Sequence, residues 1–368
     1  MDVNFGINGN ISAQAARPII VKSTTVIAIL MLLTAAKSAL AGLHKFNNAD
    51  DALEFCETNS IAAEGRKSLK AIALQGVNCP IVLNLTTDDL KLDAMDEFKK
   101  CEGLTGLALF DGVLIAPVLS AELVVGTKLD ALASVLQATA LVDNFSDNEA
   151  DTYAFASNFG SRSTLICHGK YTVEGALVPL SAIYAGIFAK YDAKPYGWAK
   201  SHSNRVALGV SDAERVIEYI DGAECEARRM RQHGIATLVR DVGWRTYGFE
   251  TTDIDIIWQS LDRVRTFQRL LRAISLSAKY ARDREANELL SVKNSVTEFM
   301  NELKGNDVII GFDAFFDTEK NTKATVTAGK FYLTVLVGDM VSVRELNIEL
   351  VYSDNWNSVL INQINGEA

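Results

Sequence analysis

STTVIAILMLLTAA (Ser23–Ala36) is the stretch on which the fold turns, because it reads either as a membrane span or as a buried strand. It holds fourteen uncharged residues between Lys22 and Lys37. A helix that crosses a bilayer needs roughly twenty apolar residues. A secretory signal fits no better, since Asp2, Asn4, Asn8 and Asn10 stand where a basic n-region belongs. The stretch predicts a fully buried strand over Thr25–Leu33 that runs into a helix, in a chain without an address label.

Working outward, IVLNL (Ile81–Leu85) and VLIAPV (Val113–Val118) are short apolar runs of the kind that sit inside a parallel sheet. Further strands are expected at Ser163–His168 and Ile235–Arg240. Helical spacing covers Ala62–Gln75, Leu90–Cys101, Leu129–Leu141 and Leu180–Tyr191, the last with Ile183, Ile187 and Tyr191 four apart. Glu54–Ser60 and Asn144–Asp151 read as connections. Strand and helix by turns predict an α/β fold with a three-layer domain over residues 23–252.

Beyond the turn Gly243–Gly248 the pattern changes. Asp253 reads as the N-cap of a long helix whose apolar stripe runs Ile257, Leu261, Val264, Phe267, Leu271, Ile274. A second face carries Arg265, Arg269 and Arg272. Leu289, Val292, Val296, Phe299 and Leu303 mark another helix, and Lys304-Gly305 stops it. Three strands of a meander follow at Val308–Phe316, Phe331–Val337 and Val343–Tyr352, with Leu346, Ile348 and Leu350 alternating with polar residues. Residues 253–353 thus predict an α+β C-terminal domain, two helices and a β-meander. Val3, Phe5, Ile7 and Ile11 alternate in an N-terminal arm, 1–22, without a nearby strand partner. Trp356, Val359, Ile361 and Ile364 are scattered along a C-terminal arm, 354–368. Strand-like arms around a body with open sheet edges predict completion of sheets by other copies of the chain.

Composition narrows the chemistry. The 368 residues carry a net charge of −10, which argues against phosphate-backbone binding. Cys225–Arg284 runs the other way, with twelve Lys or Arg against seven Asp or Glu. Such asymmetry suits solvated helix faces, a patch for an acidic partner, or contact between unlike faces of two copies. Five cysteines without a CxxC pair imply reduced thiols rather than a zinc site or disulfide frame. No Gly-x4-Gly-Lys-Ser/Thr loop, dinucleotide fingerprint or Gly-x-Ser-x-Gly elbow is present, and the four histidines lack metal-ligand spacing. No catalytic, cofactor or metal residue is assigned.

GIATLVRDVGWRTYGFETTD (Gly234–Asp253), WQSLDRVRTFQRLLRAIS (Trp258–Ser275), GFDAFFDTEKNT (Gly311–Thr322) and AGKFYLTVLVGDMVSVRELNIELVY (Ala328–Tyr352) together resemble the C-terminal half of contractile tail sheath proteins, those of simple-tailed myophages and R-type pyocins. PYGWAKSHSN (Pro195–Asn204), Asn158-Phe159 and an arm ahead of STTVIAI fit the same family. The resemblance is strongest from Gly234 onward and weak over Ala49–Asp151.

The resemblance implies a homo-oligomer, a helical stack of hexameric rings around an inner tail tube, meeting baseplate and tail terminator proteins. It implies a role in a virion tail assembled in the host cytoplasm, with no direct nucleic-acid contact and no membrane insertion. Its α/β domain would look like a hydrolase core without the active site. Contraction would drive the tube through a cell envelope. Val3, Phe5, Ile7, Ile11, Val359, Ile361 and Ile364 would then lie on inter-subunit strands, and Arg265, Arg269 and Arg272 would face acidic surface on a neighbour. Alternatives are the sheath of an R-type bacteriocin or type VI-like system and, in a different class, a cytoplasmic α/β enzyme.

Overall fold

The computed structural model describes residues 19, 25–61, 63–76 and 78–366. The decisive stretch is a strand, β1 (Ile27–Leu32), with Ile27, Ala28 and Ile29 fully buried. It is followed by β2 (Gly42–Phe46), β3 (Ile81–Thr86), β4 (Val113–Ile115), β5 (Thr139–Asn144) and β6 (Thr164–His168). Next come β7 (Lys170–Val173), β8 (Ala176–Pro179), β9 (Val210–Ala213), β10 (Ile235–Arg240), β11 (Trp244–Tyr247), β12 (Ile309–Phe316) and β13 (Leu333–Asp339).

Eight of these form one sheet in the order β11-β10-β6-β5-β4-β1-β3-β2. The inner pairs are parallel, and β2 and β11 close the two edges antiparallel. Alternating side chains of β1 enter different cores. Ile27, Ile29 and Met31 meet the helices Ala49–Thr58, Ala63–Leu74 and Leu180–Asp192. Ala28 and Leu30 meet the helix Leu123–Leu136 with Met95 and Phe98. Burial on both faces explains why β1 lacks polar alternation, each large side chain contributing about 1.5–3 kcal/mol. Helix layers on both faces make the expected three-layer α/β architecture.

The body departs from the sequence reading in three places. Leu129–Leu141 is the end of a helix and the start of β5, separated by Gln137 in the left-handed region (φ 52°). Glu54–Ser60 belongs mostly to the helix Ala49–Thr58, whose Asn48 side chain accepts from the Asp51 N–H at 2.7 Å. Leu90–Cys101 breaks into single turns, Lys91–Met95 and Asp96–Lys100.

The C-terminal part has its own core. Helices Leu261–Ser277 and Glu288–Gly305 enclose Leu270, Ala273, Val296, Phe299 and Met300 with Trp198 and Ile19. Asp253 does not cap the long helix, because a one-turn helix, Ile256–Trp258, intervenes; Asp255 caps that turn through the Ile257 N–H, 3.0 Å, and Ser260 is the N-cap of the long one. Ile257 and Leu271 of the predicted stripe are exposed. The expected three-strand meander is a two-stranded hairpin, β12–β13. Val343–Tyr352 has no regular secondary structure and pairs with no strand among the described residues, and Leu346, Ile348 and Leu350 are 75, 74 and 93% exposed.

Candidate functional site: the carboxyl edge, the arginine stripe and the unpaired C-terminal segment

A doubly wound sheet offers a ligand crevice at the carboxyl ends of its strands. Here the polar residues at that edge bind one another. Asp143, next to last in β5, accepts from the Val118 and Ser181 N–H groups (3.0 and 3.2 Å) and from the Ser181 and Ser120 hydroxyls (2.9 and 3.4 Å). It supplies the carboxylate that Pro179, the N-cap of Leu180–Asp192, lacks. Burial raises its pKa to about 6 against these donors. His168, ending β6, has Nδ1 at 2.9 Å from the Asn144 Oδ1 and Nε2 at 3.2 Å from Arg215. Burial, helped by the Arg215 charge, lowers its pKa to about 4. Cys167 and the other four cysteines are buried free thiols. Among the described residues no cluster of His, Cys, Asp and Glu is placed to hold a metal ion, and no helix is long and apolar enough to cross a membrane.

The arginine stripe divides. Arg265 and Arg269 were expected to face a neighbour; instead they are 0 and 4% exposed and bind carboxylates of their own chain. Arg265 grips Asp192 in a fork, Nη2–Oδ2 2.5 Å and Nη1–Oδ1 3.0 Å, and reaches Asp111 at 3.2 and 3.3 Å. Arg269 Nε bonds Asp111. Phe188 lies under Arg265 and Trp198 under Arg269, 4.9 and 5.4 Å from ring centre to guanidinium. His202 Nε2 is 2.9 Å from Asp192, and since a carboxylate only accepts, Nε2 carries a proton, while Nδ1 has no partner among the described residues. Desolvation alone would raise Asp192, but Arg265 and His202 outweigh it and hold the carboxyl below its usual range. Two aspartates and two arginines balance. The burial of both arginines has a physical cause: a buried carboxylate demands a buried cation, and these two supply it.

The stretch Pro195–Asn204 serves this cluster. A Cβ on Gly197 would lie 1.7 Å from the Tyr191 carbonyl oxygen, so only glycine lets the chain turn there and deliver Trp198 and His202 inward. Arg272 alone of the three predicted arginines reaches the surface, half-buried over Phe110 at 5.3 Å.

Val3, Phe5, Ile7 and Ile11 lie outside the described residues. Val359, Ile361 and Ile364 are not on a strand but on a helix, Asn357–Asn365, and are 48, 54 and 75% exposed. Gly366, left-handed at φ 73°, stops it. Two grooves, of 670 and 530 Å³, flank the start of the unpaired segment and share Arg344, Glu250, Arg231 and Tyr247. Sequence reasoning missed Asp111, Asp192 and His202; the signal available was a lone acid beside each of two buried runs, Phe110–Val118 and Leu180–Asp192.

No family model matches the chain. A prophage major tail sheath protein of Pseudomonas aeruginosa is 33% identical over 271 residues, covering 68% of this chain and 70% of the relative. The tail sheath protein of Escherichia phage P2 is 24% identical over 83% of this chain and 86% of its own length. Among solved structures, the anti-feeding prophage helical sheath in its contracted state aligns with a TM-score of 0.72 at 16% identity, over 96% of this chain and all of that one. The contracted sheath complex of an extracellular contractile injection system, PVC, gives 0.73 at 13% over 96 and 98%, and these two show the shared fold. With a third of the positions identical over 70% of a sheath relative, and an α/β body of the same fold, the chain belongs to the contractile tail sheath family.

Proposed function

We propose that the chain is a non-enzymatic subunit that polymerises as stacked sixfold rings around an inner tail tube, with baseplate and terminator proteins at the ends. On release the lattice shortens and drives the tube through a target envelope. Assembly takes place in the host cytoplasm and yields a virion tail. The observation that carries the reading is the unpaired segment 341–353, whose apolar residues alternate in water beside a two-stranded hairpin. Backbone pairing with strands from other copies would cover it without requiring particular partner side chains. The N-terminal residues Val3, Phe5, Ile7 and Ile11 are one donor.

Val359, Ile361 and Ile364 contact a second neighbour. A nine-residue helix in water is marginal, so converting Asn357–Asn365 to a donated strand costs little. The chain divides functionally into arms at 1–22 and 354–368, a body at 23–252 and a C-terminal unit at 253–353. Deleting Met1–Ser12 should leave a folded protein that no longer forms hollow ridged tubes in negative stain. Tubes of normal length from the truncated chain would sink the arm assignment.

A sheath of an injection particle rather than of a phage is the second reading, favoured by the likeness to the anti-feeding prophage and PVC sheaths. Capsid genes beside the coding sequence would decide for the phage.

A further inference from the structure

The helix Leu261–Ser277 spans two cores. Leu261 and Val264 pack beneath the eight-stranded sheet, whereas Leu270 and Ala273 pack with Trp198, Val296 and Met300. Between these apolar contacts, one turn apart, stand Arg265 and Arg269. Both carboxylates that hold them come from the body, Asp111 from the loop entering β4 and Asp192 from the end of Leu180–Asp192. Thr25, just ahead of β1, also bonds Asp192 and lies 3.5 Å from Arg269.

We propose that this cluster is a coupling joint that fixes the register of the helix on the body, so that body and C-terminal hairpin move as one piece. Apolar packing is non-directional, and two helices in contact have alternative ridge-and-groove fits. A planar guanidinium forked on a carboxylate has one. Consider a slide of the helix by one turn. Toward the C-terminus, Leu261 takes the place of Arg265; the other way, Ala273 takes the place of Arg269. Either slide leaves a buried carboxylate short of its cation, which is strongly destabilising. Among the described residues the cluster has no spare charge to absorb the loss, since the two arginines balance the two aspartates and burial lowers the pKa of His202, which favours its neutral form. In a sheath the consequence, which rests on the assembly reading above, is that rotation of the body reaches the strand-pairing hairpin undiminished.

Hydrogen exchange on the full-length chain, kept below its assembly concentration, tests the joint apart from the sheath function. Arg269→Met should lower the protection of Leu261–Ser277 and β12–β13 by about a hundredfold while β1, β4 and β5 keep theirs. Arg269→Lys, which keeps the charge and loses the fork, should fall between. A residue that merely adds stability would instead lower protection everywhere together, and that outcome, or an unchanged helix, overturns the proposal. Should Arg269→Met fail to fold, Asp111→Leu with Arg269→Met removes one charge of each sign and leaves the Arg265–Asp192 pair balanced. With no buried carboxylate left short of its cation, this variant should fold and keep the helix better protected than Arg269→Lys does, and a helix that loses as much protection as in Arg269→Lys, or more, would overturn the joint. Failure of the wild-type chain to form tubes would count against the sheath assembly and leave this result untouched.

Discussion

The eight-stranded sheet and the segment after β13 are made of the same kinds of residue and end in opposite states. Ile29 is fully buried, whereas Ile348, with the same side chain, is 74% exposed. The sheet has helices over both faces and antiparallel strands at both edges, so its apolar runs are satisfied within one chain. The hairpin has two strands, too few to stand alone, and leans on a helix pair. Leu346, Ile348 and Leu350 nevertheless alternate with Glu345, Asn347 and Glu349 as a half-buried strand does. One region is complete, and the other is patterned for a strand that the described residues do not supply.

That contrast breaks most easily in the body. Phe188 is fully buried, lies beneath Arg265 and meets Phe249 and His202 with ring centres 5.3 and 4.9 Å away. Phe188→Ala should cost about 3–5 kcal/mol in chemical unfolding of the unassembled chain. A cost under about 1 kcal/mol would mean that the body is not the rigid half of the comparison.

Acid should act on the body as well. In the unfolded chain His168 and His202 take up protons near pH 6.5, but burial holds both down in the fold, His168 to about 4. The unfolded state therefore binds more protons, and stability falls as pH drops through 6.5. Asp143 runs the opposite way, protonating at about 6 in the fold and near 3.8 when unfolded, so it offsets one histidine below pH 6. The net is one proton, and stability should fall by about 1.4 kcal/mol per pH unit between 6 and 4 until His202 itself protonates. Below the ordinary carboxylate range Asp192, held down by its partners, adds a further loss. Denaturant midpoints that stay flat or rise from pH 6.5 to 4.5 would contradict the burial assigned to these histidines.

Ile348→Asp sharpens the other half. In the unassembled chain it should shift stability by no more than about 0.5 kcal/mol, because the side chain already lies in water. Assembly should be lost, since a charge would be buried in the completed sheet. Tubes of ordinary length from this variant would show that 341–353 is not paired in the assembly.

The sequence was most legible where burial is two-sided. Ile235–Arg240 was read residue for residue, and β1, β3 and β6 within one or two positions, because continuous apolar runs need no partner to be identified. β5 was lost inside a predicted helix because Leu132, Ala133, Ala140 and Leu141 form one apolar stretch and the turn at Gln137 uses neither Gly nor Pro. β2 is a half-exposed edge strand with little pattern of its own. The arginine stripe failed for a different reason. Helical spacing tells which residues share a face, but Arg265 and Arg269 face carboxylates 154 and 158 residues away in the chain, and no local pattern carries that distance.

Arg272 carries the smallest effect and tests what is left of that stripe. Its guanidinium is half-buried over Phe110, so it has both a packing role and a charge available to a neighbour. Arg272→Ala removes both, whereas Arg272→Glu also inverts the charge. If the charge meets acidic surface on another copy, Arg272→Glu should raise the concentration needed for tube formation above that of Arg272→Ala. The gap should be widest at about 10 mM salt, where screening extends about 30 Å, and should close at about 1 M, where it shrinks to about 3 Å. Each exposed contact is worth only about 0–1 kcal/mol, so the effect on a single chain's unfolding should be slight and the readout is the lattice, where the contact repeats. Equal thresholds for the two variants at every salt concentration would assign Arg272 to packing on Phe110 alone, and would leave the pairing of segment 341–353 to hold neighbouring copies together without this charge.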